Sequence, residues 1–250
     1  MNAAMSIREL RRLLHDKFPA AHADLPAPAA DAAGLEKAVV TPQTLPSRCY
    51  PPTLALPKGA ITEVVSGGHS RGVALMMERL LEAQLAEAVQ RPVALIDGCD
   101  AFDPAGLRPP LRERLLWLRC QKPAQAFQAV DLLLRDGNLP LVLMDLQLCT
   151  PRALLAHPSS VWHRLRFLAE KSAVTLCVFT PLQVVSCARA RLILEQEFDL
   201  EALWQARTEL ARQMRVRVDR GQAAVHLIET STCAPTIAEP GGENHLALAR

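Results

Sequence analysis

The chain has 250 residues, half of them hydrophobic and only 4% aromatic, with a formal net charge of +2. That length suits one α/β domain with a sizeable core plus appendages, and the near-neutral charge neither demands nor excludes nucleic acid, so only a local basic patch could argue for it. No apolar run reaches the roughly 20 residues of a membrane span, and the seven scattered cysteines form no C-x-x-C pair, which excludes the common metal spacings. Reduced thiols buried as small apolar side chains are expected, as in a cytoplasmic protein.

In chain order, Ser6 to Lys17 has helical periodicity. Ile7, Leu10, Leu13, Leu14 and Phe18 share a face, with Arg8, Arg11, Arg12 and Lys17 around it. An Ala/Pro/Asp-rich stretch follows to Pro52 and reads as a flexible linker, so residues 1–52 form an N-terminal helix and linker. The core spans residues 53–229. Ile61 to Val65 is a strand, Val73 to Val89 a helix, Val93 to Ile96 a strand and Leu111 to Arg114 a short helical turn before the strand Leu115 to Arg119. Pro123 to Asp136 is a helix stopped by Gly137-Asn138, and Leu141 to Met144 is a strand. His157 to Lys171 is a helix and Ala173 to Phe179 a strand. Arg189 to Glu195 and Phe198 to Leu203 are expected to extend the sheet, and Ala223 to Glu229 to add a late antiparallel strand. Residues 230–250, rich in Pro, Gly, Glu and Thr, are expected to be a disordered tail. Uninterrupted apolar strands alternating with helices predict an α/β fold: a mainly parallel sheet flanked by helices, with extra antiparallel strands near the C-terminus.

The candidate site is the loop Ser66-Gly67-Gly68-His69-Ser70-Arg71-Gly72-Val73 between the first core strand and helix. A phosphate-binding loop reads G-x-x-x-x-G-K-[ST] there. Its backbone N–H groups cradle phosphates, its Lys reaches the β/γ-phosphates and its hydroxyl holds Mg²⁺. Here those four positions hold Ser66, Arg71, Gly72 and Val73. Ammonium and hydroxyl are both missing, and Arg71 replaces a glycine whose backbone freedom the loop uses. His69 is expected to face solvent. Asp97, Asp100 and Asp103 lie close in sequence but read as turn and cap chemistry rather than metal ligands. No metal site is expected.

Three segments carry a family resemblance. Leu56-Pro57-Lys58-Gly59-Ala60-Ile61-Thr62-Glu63-Val64-Val65 resembles the strand leading into the nucleotide loop of RecA-type recombinases. Val93-Ala94-Leu95-Ile96-Asp97-Gly98-Cys99-Asp100-Ala101-Phe102-Asp103-Pro104 resembles that family's I-D-A-E-x-A-x-D-P segment, and Leu139 to Asp145 resembles a Walker B strand. Together they cover Pro51 to Arg220, and the chain is similar to the ImuA/SulA-related group of shortened RecA homologues with degenerate ATP sites. The resemblance implies a RecA-like core in which Cys99 occupies the position of the water-polarising glutamate. Thr180-Pro181 replaces the phosphate-sensing Asn-Gln pair, and Asp145 alone survives as the Walker B acid. It implies no catalytic residue, hence no enzyme, and no cofactor. Weak ATP binding stays open through Arg71, Gly67, Gly68 and the helix N-terminus. It also implies an accessory role in the DNA damage response and error-prone translesion synthesis. The implied partners are a Y-family-like polymerase protein, an error-prone polymerase and RecA, with self-association through the N-terminal helix. Two other readings compete: a protein-binding regulator of the cell-division-inhibitor type, and a divergent ATPase that uses Arg71.

Arg207, Arg212, Arg215, Arg217 and Arg220 make a dense cationic stretch. Gln205 to Asp219 resembles the strand pair near the DNA-binding region of RecA proteins, which makes single-stranded DNA a candidate ligand. Asp219, Glu209 and Glu201 would partly neutralise the stretch, and only Phe198 and Trp204 are nearby for base stacking.

Overall fold

The computed structural model describes residues 12, 53–85, 91–221 and 226–228. The expected N-terminal helix (apart from residue 12), the linker and the tail lie outside the described residues, as do Cys49 and Cys233. Among the described residues no helix is long and apolar enough to cross a membrane.

The strands are β1 (Thr53–Ala55), β2 (Ile61–Val65), β3 (Val93–Asp97), β4 (Leu115–Arg119), β5 (Leu141–Asp145), β6 (Thr175–Thr180), β7 (Ala190–Leu194), β8 (Val216–Arg220) and β9 (His226–Ile228). The helices are α1 (Val73–Leu85), α2 (Pro109–Arg114), α3 (Pro123–Asp136), α4 (Pro151–Leu155), α5 (Ser159–Ser172) and α6 (Arg207–Gln213). Seven strands form one sheet in the order β4-β3-β5-β6-β2-β7-β8. The first six run parallel, and β8 joins β7 antiparallel. β1 and β9 pair antiparallel in a separate two-stranded ribbon. The mainly parallel α/β architecture with antiparallel additions is the one the alternation of elements predicts.

Side chains alternate across each strand, so a parallel strand covered on both faces is apolar along most of its length. Ala94, Ile96, Val142, Met144, Leu176 and Val178 face one core layer, under α3 and α5, with Phe127, Val130, Leu134, Trp162 and Leu165. Their sequence neighbours Val93, Leu95, Leu141, Leu143, Cys177 and Phe179 face the other, under α1 and α2, with Met76, Met77, Leu80 and Leu111. Phe127 meets Trp162 edge-on at a centroid separation of 4.9 Å. Gly137 ends α3 in the left-handed conformation, φ 74°, and its N–H returns to Leu133 O at 3.1 Å.

Two sequence expectations fail downstream of β7. Phe198 to Leu203 is not a strand: Glu201–Trp204 forms a 3₁₀ turn, with Asp199 accepting from the Ala202 N–H. Gln205 to Asp219 is not a strand pair, because Arg207–Gln213 is helical and only Val216–Arg220 is extended.

Candidate functional site

The 66–73 loop leaves β2 and turns into α1. Ser66 is fixed to the neighbouring strand end, its N–H donating to Thr180 O at 3.0 Å. Gly67, Ser70 and Gly72 all adopt positive φ, and Gly72 O accepts the Met76 N–H at 2.9 Å, so Gly72 caps α1. Gly67, His69 and Ser70 are exposed, while Val73 is buried in the α1-side core.

Around the lysine position the chain has filled the space. A Cβ on Gly72 would lie 3.0 Å from the Phe198 ring and 3.5 Å from Met214 Cγ, at a φ of +78° that side chains rarely adopt. Phe198 is held there by its N–H, which donates to Ser70 O at 2.9 Å. Arg71 turns away from the loop. Its Nη1 donates to Glu195 O at 3.0 Å and its Nη2 pairs with Glu197 at 2.9 Å. A magnesium triphosphate would find backbone N–H groups at Gly67 and Gly68 but no lysine, no hydroxyl at Val73, and an arginine already engaged.

At the ends of β3 and β5 the loops touch. Gly98 N–H donates to Asp145 O at 2.8 Å, and a Cβ on Gly98 would sit 2.6 Å from that oxygen, so only glycine allows the approach. Asp97 is buried and accepts from the N–H groups of Cys99, Ala101 and Phe102. Asp103 caps the next 3₁₀ turn through Ala105 N–H, and Asp100 forms a two-pronged pair with Arg119. All three carboxylates thus do turn, cap or pairing work. Asp145 accepts from the Gln147 N–H at 2.9 Å; burial pushes its carboxyl up to about 6, with Asp97 adding to the rise. Cys99, at the expected glutamate position, lies 2.9 Å from Cys149, sulfur to sulfur, both as free thiols. Burial, then the contact with Cys99, pushes the Cys149 thiol up. Sequence spacing could not show this pair, which joins residues 50 positions apart through adjacent strand ends. Among the described residues no group of His, Cys, Asp and Glu is arranged to hold a metal ion.

Thr180, at the expected sensor position, donates its hydroxyl to Glu63 at 3.3 Å. Glu63 is fully buried on β2. It also accepts the N–H groups of Val184 and Val185 and pairs with Arg191 at 2.6 Å. Its pattern was invisible in sequence, where a lone Glu in an apolar strand is ambiguous.

The arginine stretch is divided. Arg207 pairs with Glu78, Arg212 with Glu209, and Arg217 with Glu195 and Asp219. Arg215 is exposed just before β8 rather than within it. Arg220 instead donates to the carbonyls of Ser186 and Ala188. The five residues are spread over α6, the approach to β8 and β8 itself.

The described residues form a mainly parallel α/β sheet in which β6 lies between the loop strand and the Asp145 strand, with helices on both faces and β8 added antiparallel. No protein-family model matches the chain. No curated protein matches it either. Among solved structures the chain is similar to the RadB recombinase crystal structure, with 16% identity and a TM-score of 0.43 over 56% of this chain and 76% of that one.

Proposed function

We propose that the chain is a RecA-like protein without ATPase activity, serving as an accessory subunit that binds other proteins in the DNA damage response and error-prone translesion synthesis. The observation that carries the first part is the packing of Phe198 and Met214 against Gly72, where the family's lysine would project. Phosphoryl transfer depends on positioned charge around the transferred group. Here the ammonium, the Mg²⁺ hydroxyl and the glutamate are replaced by Gly72, Val73 and Cys99, and Arg71 is clamped by Glu195 and Glu197. A core kept while its catalytic set is replaced is best suited to presenting surfaces. Exposed Leu200, beside the filled loop, and exposed Trp204 are consistent with that use.

The second part rests on the motif resemblance, and its proposed partners are a Y-family-like polymerase protein, an error-prone polymerase and RecA. Affinity capture of the tagged chain from its own cells after DNA damage, with mass spectrometry of bound proteins, tests it. A translesion polymerase or RecA is expected. Recovery of division or metabolic proteins alone would remove the translesion role and leave the fold untouched.

A further inference from the structure

The sheet end opposite the 66–73 loop carries a cavity of about 410 Å³. Ala60 opens it just before β2, Cys187, Ala188 and Arg189 border it before β7, Arg220 closes β8 beside it, and α5 contributes Arg166 and Glu170. Three arginines and one glutamate therefore line it.

Their charge is little compensated. Arg220 is held by two backbone carbonyls, at 2.9 and 3.4 Å, which fix the side chain without neutralising it. Arg166 and Glu170 are 3.7 Å apart, each about half exposed, a geometry in which an ion pair contributes little. Arg189 is exposed, its backbone N–H donates to Ile61 O, and its guanidinium has no ion pair among the described residues. The contrast with Arg207, Arg212 and Arg217 is direct, since each of those already has a carboxylate. Guanidinium forks match the oxygens of phosphate better than any other common anion-binding side chain, and a cluster of them in a concave site concentrates the field.

We propose that this cavity binds a phosphate group, with Arg166, Arg189 and Arg220 as its ligands. The phosphate belongs either to a single-stranded nucleic-acid backbone or to a small free phosphate. The first source would deepen the DNA-damage reading and rests on it for that source alone; the pocket itself does not depend on which proteins the chain meets.

Cys187 lines the cavity and is partly exposed, which makes its alkylation a local reporter. The full chain would be treated with N-ethylmaleimide alone, with inorganic phosphate or with oligothymidylate, and the rate at each cysteine followed by peptide mass spectrometry. Cys99, also partly exposed but at the other end of the sheet, is the internal control. Protection of Cys187 but not Cys99 is expected, lost in Arg189→Ala and kept in Arg212→Ala. Oligothymidylate protecting at phosphate-group concentrations where inorganic phosphate does not would identify a strand as the source; the reverse would identify a free phosphate. If a strand is the ligand, fluorescence anisotropy should show Arg189→Ala weakening it about fivefold and lowering the salt slope by about 0.7. No protection by either probe, or protection unchanged in Arg189→Ala, would overturn the proposal. Because the readout needs no partner protein, its failure is separable from a failed affinity capture.

Discussion

Asp145 ends β5 in register with Asp97 of β3, and its carboxyl is pushed by burial from an ordinary 3.8 up to about 6. The folded state thus holds this proton more tightly than the unfolded chain does. Stability contributed by the site is fully present at low pH and is lost as pH rises from about 4 to about 6. Asp145→Asn keeps an acceptor for the Gln147 N–H and removes the buried charge, so it should stabilise the protein at pH 7 by about 2 kcal/mol. The gain should vanish near pH 3.5, below the ordinary carboxylate value, in chemical denaturation curves run at both pH values. An equal effect at both would mean that the Asp145 carboxyl is not perturbed. The 66–73 loop gives the opposite sign. Gly72→Lys with Val73→Thr and Cys99→Glu installs the lysine, hydroxyl and carboxylate of a phosphate-binding loop, but the introduced lysine would need a positive φ and displacement of the Phe198 ring. The triple variant should lose about 2–4 kcal/mol of stability and show no ATP turnover in a phosphate-release assay. Measurable turnover would show that side-chain identity alone had been limiting.

At the scale of elements, Glu63 ties three strands together. From β2 it holds the β6 end through Thr180, the crossover through Val184 and Val185, and β7 through Arg191. The crossover at 181–189 has no helix; Val185 and Ala188 reach the core, and these hydrogen bonds fix its backbone. The Arg191 side chain is 8% exposed, so removing Glu63 would leave a buried guanidinium with only the Val185 carbonyl and a longer, 3.6 Å contact to Asp219. Glu63→Ala should therefore cost about 3–5 kcal/mol, read as a lowered denaturation midpoint, whereas Asp219→Ala, at the exposed side of the same arginine, should cost under about 1 kcal/mol. Comparable costs for the two would mean that the buried pair does not organise the crossover. Strands β3 and β5 were legible because their apolar runs, Val93 to Ile96 and Leu141 to Met144, are unbroken where both faces are covered. The 198–213 region was not. Phe198, Leu200 and Ala202 mimic a strand's alternation, yet Phe198 fills the space at Gly72, and Leu200 is left exposed. Likewise Arg207–Gln213 pairs Glu209 with Arg212 at helical spacing, a signal that the arginine count obscured. The loop's altered residues were plain in sequence, but its filling by Phe198 and Met214, the Cys99–Cys149 contact and the cavity of Arg166, Arg189 and Arg220 join distant segments that no local pattern connects.

On the whole-molecule scale the two ends of the sheet treat arginine differently. At the loop end Arg71 links the β2–α1 turn to residues 195–197, closing an early segment of the chain onto a late one. At the other end Arg189 and Arg166 stay open to solvent. The two functions an arginine can serve here, clamp or phosphate ligand, predict different behaviour. If Arg71 is a clamp, Arg71→Ala loses one charge-assisted hydrogen bond to a backbone oxygen and one largely exposed ion pair. That should lower stability by about 1–2 kcal/mol. Calorimetric titration with ATP should give the same result for variant and parent, with no affinity lost, because the ring of Phe198 still occupies the lysine's space. If Arg71 instead replaces the missing lysine, the parent should bind ATP and the variant should lose that binding about tenfold or more, with little change in stability. The first pattern leaves the loop as a packed junction between two halves of the fold. The second would revive the divergent ATPase and contradict the accessory reading at its base, since a nucleotide would then have a charged ligand waiting for it.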